Sequence, residues 1–282
     1  MCDETRIVIG NQELHDLSVF ATQVRKDVAS MTNKTRDSHI GGGYSSIDIM
    51  TVLYKCFLDL SPQHLDDPGR NIFILSKGHI AASMYAVLAR MGILPVSALS
   101  AHLQDGGNLP GHIRRHVTPG VEMSSGSLGH GPGVAAGMAY AKRIKHLPGK
   151  VYVLMGDGEC NEGSVWEAVM LAVRHQLSNL ILIVDRNRLQ SYGSDQDVLN
   201  LGDLSSKFQS FGCRTDEIDG HDFRQITRAL EQAGDNASDV PTVIIANTIK
   251  GKGVSYMENR LEWHFKSPDD AQLEAALREL ES

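Results

Sequence analysis

Val151-Tyr152-Val153-Leu154-Met155-Gly156-Asp157-Gly158-Glu159-Cys160-Asn161-Glu162-Gly163 decides the fold. Five apolar residues without polar alternation suit a parallel strand covered on both faces. The run stops at an aspartate between two glycines and leads into a helical pattern over residues 163–176. Comparable runs stand at Asn71-Ile72-Phe73-Ile74-Leu75, Leu180-Ile181-Leu182-Ile183-Val184 and Thr242-Val243-Ile244-Ile245-Ala246. Helical patterns fall at residues 11–35, 47–60, 79–91, 131–145 and 222–233. This rhythm predicts an α/β fold, an open and mostly parallel sheet with helices on both faces. Such sheets bind ligands beyond the carboxyl ends of their strands. The glycine-flanked aspartate falls there.

Working outward, 282 residues allow one large domain or two small ones, at roughly 150 residues per domain. No repeat, low-complexity tract or Pro/Ser-rich linker divides the chain, so residues 1–282 are expected to form one complete domain. Ser267-Pro268-Asp269-Asp270 reads as an N-cap, an N1 proline and the acidic first turn of a last helix, with Leu273, Leu277 and Leu280 on one stripe. The net charge of −7 argues against nucleic acid or an anionic membrane as main partner. Cys2, Cys56, Cys160 and Cys213 form no CxxC pair, which fits a reducing compartment. The N-terminus lacks the basic start and apolar core of a signal peptide, and no apolar run approaches the roughly 18 residues that span a bilayer. A cytoplasmic location is expected.

The Asp157 carboxylate can hold a hard cation, and the next strand ends in Asp185-Arg186-Asn187-Arg188-Leu189, which supplies a second oxygen ligand. Two adjacent parallel strands would set Asp157 beside Asn187. Mg²⁺ suits such a pair because it takes few protein oxygens and completes its shell with phosphates and water. The plain alternative is a glycine turn and an ordinary Asn cap. Two other patterns carry less. Gly131-Pro132-Gly133-Val134-Ala135-Ala136 fits a dinucleotide fingerprint, but no clear strand precedes it. Lys252 is followed by Gly253, so no phosphate-binding GxxxxGK[ST] loop exists. His112 and His116 have helical metal spacing, yet Pro110 and Gly111 argue for a loop and against zinc.

GDG at one strand end, followed thirty residues on by Asn at the next, resembles the motif of thiamine-diphosphate enzymes. His39-Ile40-Gly41-Gly42, Ser76-Lys77-Gly78-His79, Pro110-Gly111-His112, Gly126-Ser127-Leu128-Gly129 and Lys250-Gly251-Lys252-Gly253 with His264 narrow the resemblance to the transketolase family. It covers residues 39–264 in the family's order. The resemblance implies the diphosphate-binding domain of the thiamine-diphosphate fold. Thiamine diphosphate and Mg²⁺ (or Ca²⁺ or Mn²⁺) would be anchored by Asp157, Asn187 and the Leu189 carbonyl. Gly156, Gly158, Glu159, His79 and His264 would approach the cofactor, and Gly126, Ser127 and Leu128 its aminopyrimidine. His39 and His112 would line the substrate channel and, with His264, hydrogen-bond hydroxyls or oxyanions. The family often has Pro where Ser127 stands and Gln where His130 stands, two departures in this sequence.

Glu167 interrupts a helix that is apolar nearly all around, so it is expected to be a buried carboxylate needing a partner. A solvent-facing Glu is the plain alternative. By resemblance, Glu162 and Glu167 match a glutamate cluster that passes protons near a subunit interface. The small residues Ala135, Ala136, Gly137, Ala139 and Ala141 suggest a helix packed against another subunit.

Full transketolases are more than twice as long and add a pyrimidine-binding domain and a C-terminal domain. This chain therefore resembles the N-terminal subunit of a split transketolase, inactive alone. A C-terminal subunit would carry the pyrimidine-binding domain, in a heterotetramer with two copies of each chain. The implied reaction, in carbohydrate metabolism, moves a two-carbon ketol unit from a ketose, as its phosphate, to an aldehyde. Two alternatives stay open: a related thiamine-diphosphate reaction (2-oxo acid decarboxylation or deoxyxylulose-phosphate synthesis), and a non-catalytic regulatory subunit of the same fold.

Overall fold

A computed structural model describes residues 9–61, 63–234 and 239–281, so Cys2 lies outside the described residues. In chain order come α1 (Asn11–Thr35), α2 (Ile40–Tyr44), α3 (Ile47–Val52), β1 (Ile72–Leu75), α4 (Ala81–Arg90), α5 (His130–Ile144) and β2 (Val151–Gly156). They are followed by α6 (Gly163–Arg174), β3 (Leu180–Arg186), α7 (Asp195–Leu199), α8 (Leu204–Ser210), β4 (Arg214–Asp219), α9 (Phe223–Gly234), β5 (Thr242–Asn247) and α10 (Asp270–Glu279). The strands form one parallel sheet in the order β1-β2-β3-β5-β4. Val151 pairs with Leu180 and Ile181 with Thr242, so β2, β3 and β5 end nearly level.

The unbroken apolar runs are explained by two cores, one on each face of the sheet. Tyr152, Leu154, Ile181, Ile183, Ile244 and Ala246 face the larger core, which α1, α3, α4 and α9 cover. Their neighbours Val151, Val153, Met155, Leu180, Leu182, Val184, Val243 and Ile245 face the other, under α5, α6 and α8. Successive side chains point to opposite faces. With both faces covered, the central strands are apolar along their length and carry polar residues only near their ends, Thr242 at the start of β5 and Asp185 near the end of β3.

The structure departs from the expected elements at four places. The helix expected over residues 47–60 runs as α3 only to Val52, then widens into a π-turn at Leu53–Phe57. β4 was not expected, because Arg214-Thr215-Asp216-Glu217-Ile218-Asp219 buries only Ile218 and lies at the sheet's edge. The short helices α2, α7 and α8 were also not read from the sequence. The last helix starts at Asp270 rather than after Ser267. Asp269 is its N-cap, accepting from Gln272 N at 2.8 Å, while the Gln272 side chain accepts from Asp269 N at 3.1 Å. This reciprocal capping box satisfies two otherwise orphaned N–H groups, which Ser267 cannot do. Pro268 therefore precedes the cap.

A buried ion pair fixes the layer beneath the site. Arg25 on α1 donates to both oxygens of Asp48 on α3, at 2.9 and 2.7 Å, and to the Lys252 carbonyl at 3.0 Å. His221 places Nδ1 2.7 Å from Asp48, and its Nε2 accepts from Ile249 N at 2.8 Å. The loop after β5 is thereby tied to α1 and α3. No helix among the described residues is long and apolar enough to cross a membrane.

Candidate active site

The carboxyl ends of β1, β2, β3 and β5 lie together, and Asp157, Asn187 and four of the histidines singled out in the sequence collect there. Asp157 directly follows β2 and is 7% exposed. One carboxylate oxygen accepts from Gly158 N at 2.8 Å and the other from Arg188 N at 2.6 Å, so the turn after β3 is bound to the turn after β2. Burial first, and then Asp185, push the Asp157 carboxyl up to about 6. A buried carboxylate held only by backbone N–H groups is one that a cation would stabilise. Asn187 accepts through Oδ1 from Leu189 N at 3.1 Å, and the Leu189 carbonyl accepts from Lys250 Nζ at 3.1 Å. One carboxylate, one amide oxygen and one main-chain carbonyl make a donor set for a hard, oxygen-seeking cation. The residues present fit the Mg²⁺ and diphosphate that the sequence motifs imply.

Four histidines from four separate segments meet beside this set. The His39 ring centroid lies 5.0 Å from that of His79, 6.3 Å from His112 and 5.2 Å from His264. His39 caps the start of α2 in the left-handed region at φ 71°, with its N–H donating to the His264 carbonyl at 2.9 Å. Burial holds His39 down to about 4 despite nearby Asp37. Burial and the Lys250 ammonium hold His264 down to about 3, and burial keeps His79 well below its usual value. These three rings are neutral near pH 7, so each offers one donor and one acceptor. For His264 the choice is settled. Lys250 Nζ, which can only donate, lies 2.8 Å from Nδ1, so the ring hydrogen is on Nε2.

Glycines let the loops come this close. A Cβ on Gly126 would stand 2.9 Å from Cδ2 of His112, and the residue has φ +154°. Ser127 and Leu128 follow at the open side of the site, Ser127 exposed and Leu128 half-buried. Glu159 points inward instead: it accepts from Ser76 Oγ, from Gly129 N at 2.8 Å and from Gly156 N at 3.3 Å. Its contacts tie β1, the 126–129 loop and the GDG turn together, and burial raises its carboxyl above the usual range.

Sequence reasoning missed a second layer. Asp185, fully buried, accepts from Lys77 Nζ at 2.5 Å, Ser45 Oγ at 2.6 Å, Ser46 Oγ at 2.9 Å and the Thr248 hydroxyl. Burial alone would raise Asp185, but Lys77 holds it below the usual range. Lys77 and Lys250 stand inside quoted motifs, so the available signal was a lysine beside an otherwise small or apolar strand end.

Glu167 does not sit where it was expected. Val165, Ala168, Val169 and Ala172 form the buried face of α6, whereas Glu162 and Glu167 are exposed. The helix is amphipathic, with Met170 and Leu171 at 51% and 46% exposure supplying the apolar residues that had suggested burial. The alanines of α5 likewise pack inside this chain, at Ala135, Ala136 and Ala139, while Gly133, Val134, Gly137 and Tyr140 face outward.

The family description "Transketolase, thiamine diphosphate binding domain" matches residues 18–280. An apulose-4-phosphate transketolase subunit of Actinobacillus succinogenes is 43% identical over 256 residues, 91% of this chain and 92% of that protein. A 6-deoxy-6-sulfo-D-fructose transketolase subunit of Clostridium sp. is 38% identical over 266 residues, 94% of this chain and 96% of that protein. Transketolase from Campylobacter jejuni superposes with a TM-score of 0.87 at 28% identity, over 97% of this chain and 43% of that one.

Proposed function

The chain belongs to the transketolase family, and from that premise we propose that it is the cofactor-anchoring subunit of a two-chain transketolase. It acts with a second subunit carrying the pyrimidine-binding domain, in a heterotetramer of two copies of each chain in the cytoplasm. Together they move a two-carbon ketol unit from a ketose phosphate to an aldehyde. The observation that carries this reading is the convergence of four histidine rings on a carboxylate, amide and carbonyl set at the ends of parallel strands. The partner is supported by relatives of nearly the same length that are themselves named as subunits.

Asp157, Asn187 and the Leu189 carbonyl would hold Mg²⁺ and, through it, the diphosphate. Bound thiamine diphosphate supplies the carbanion chemistry that breaks and forms the carbon–carbon bond. The chain's own residues orient and stabilise. Gly156 and Gly158 leave the end of β2 without a Cβ, so that a bulky anion can approach the backbone there. His39, His112 and His264 hydrogen-bond the sugar's hydroxyls and the oxygen on which negative charge develops. Lys250 keeps His264 in the tautomer that donates from Nε2. His79 and the backbone of Gly126, Ser127 and Leu128 shape the wall against the cofactor. Glu162 and Glu167 face outward, where a neighbouring subunit would meet them.

The test is Mg²⁺-dependent binding of thiamine diphosphate to the co-purified complex. Wild type binds, and Asp157→Ala does not. Tight Mg²⁺-dependent binding by that variant overturns the site assignment. Turnover with pyruvate as donor but not with a ketose phosphate replaces ketol transfer with another reaction of the same cofactor.

A further inference from the structure

His102 lies outside every motif that marks the family, yet it is completely buried and both of its ring nitrogens are engaged. Nδ1 is 3.0 Å from the Leu109 carbonyl oxygen, and Nε2 is 2.9 Å from Asp37 Oδ2. A carbonyl and a carboxylate accept hydrogen bonds and do not donate them. A ring that donates to both carries hydrogen on both nitrogens, an imidazolium paired with the Asp37 carboxylate.

What the two arms reach matters more than the pair itself. Asp37 stands two residues before His39, and its Oδ1 accepts from Ser38 N at 2.8 Å. Ser38 Oγ then lies 2.6 Å from His39 Nδ1. His39 keeps a left-handed backbone at φ 71°, a conformation that a residue with a Cβ holds only when its surroundings impose it. The other arm ends at Leu109, three residues before His112. There the Leu109 carbonyl also accepts from Leu103 N at 3.0 Å, and Tyr85 donates its hydroxyl to the Pro110 carbonyl at 2.9 Å. The Tyr85 ring packs edge-on against His102 at 5.8 Å, closing the remaining side. One buried side chain therefore spans the two segments whose histidine rings stand 6.3 Å apart.

We propose that His102 is a positioning residue: a doubly protonated brace between the segments carrying His39 and His112 that sets the separation of those two rings. The proposal rests on the reading of His39 and His112 as channel residues. A displacement of about 1 Å in such a pair costs about 100-fold in rate. A brace that served stability alone would change rate only through unfolding.

Two experiments test this, one of which needs no activity. In ¹⁵N-histidine spectra of the intact chain, assigned with His102→Phe, His102 shows hydrogen on both nitrogens. A bare nitrogen, which would mean that the proton rests on Asp37 instead, overturns the charged brace. His102→Asn keeps a donor where Nδ1 stood and loses the Asp37 arm, so it shifts the His39 resonances. His102→Gln keeps a donor where Nε2 stood and shifts those of His112. Identical disturbance of both rings by both variants overturns the two-armed arrangement. In the cofactor-loaded complex, His102→Phe and Asp37→Asn lower kcat for the ketose about 100-fold, with thiamine-diphosphate affinity unchanged. A parallel loss of cofactor affinity and melting temperature reduces His102 to a structural residue and overturns the proposal. A complex without ketol transfer whose spectra still show both arms sinks the functional reading and supports the brace.

Discussion

At Gly126 the site leaves no room for a side chain. A methyl group there meets the His112 ring at 2.9 Å, at a φ of +154° that residues with a Cβ avoid. Gly126→Ala is expected to lower kcat about 100-fold by displacing His112, with a stability loss of about 1 kcal/mol or more. Steady-state kinetics of the complex and urea denaturation of the chain check the two effects separately. Single residues also show where sequence reading stops. Asp157, Asn187 and the four histidines were singled out because each stands in a short motif that resembles the family's. Asp185 and His102 were not. Asp185 takes its partners from Ser45, 140 residues earlier, and Lys77, 108 residues earlier, while His102 reaches Asp37 across 65 residues. Pairing over such separations leaves no local trace. Glu167 failed in the opposite direction: an apolar helix in one dimension proved to have an exposed apolar face in three.

Among the elements, α1 and α3 depend on each other through a charge that neither could bury alone. Asp48 is 5% exposed and Arg25 is 6% exposed. Replacing Arg25 with Met leaves the Asp48 carboxylate buried with only His221 facing it, which costs about 3–5 kcal/mol. Burial would raise Asp48, but Arg25 and the His221 hydrogen bond hold it down to about 2, from 3.8. A carboxyl lowered on folding adds stability that is complete above pH 3.8 and is lost as the pH falls to about 2. Urea midpoints measured across that window should fall steeply in wild type, and the step should shrink or vanish in Arg25→Met. The element scale was also the most legible in the sequence. Buried parallel strands announce themselves as apolar runs, and the long helices by their spacing. β4 escaped because an edge strand need not be apolar, and the start of α10 because Asp269 outcompetes Ser267 for the cap.

At the scale of the whole molecule, the outer face of α5 and α6 carries exposed apolar side chains. Val134, Tyr140, Ile144, Met170 and Leu171 are all exposed there, together with Glu162 and Glu167. A Leu171→Asp change should leave the melting behaviour of the isolated chain within about 0.5 kcal/mol, because the side chain is 46% exposed. It should nevertheless block assembly, seen as a smaller sedimenting species than wild type at equal concentration. An unchanged assembly would move the interface elsewhere. The strand order carries a further consequence, one of timing. β3 and β4 are neighbours in sequence but not in the sheet, since β5 lies between them. During synthesis both strands emerge before the segment that joins them, β3 with one edge unpaired and β4 without a neighbour. Thr242–Asn247 closes the sheet, and only then do Lys250 and His264 follow into place. A nascent chain halted before residue 242 would have every strand but one, no completed site, and both edges that β5 joins left open for a chaperone to guard.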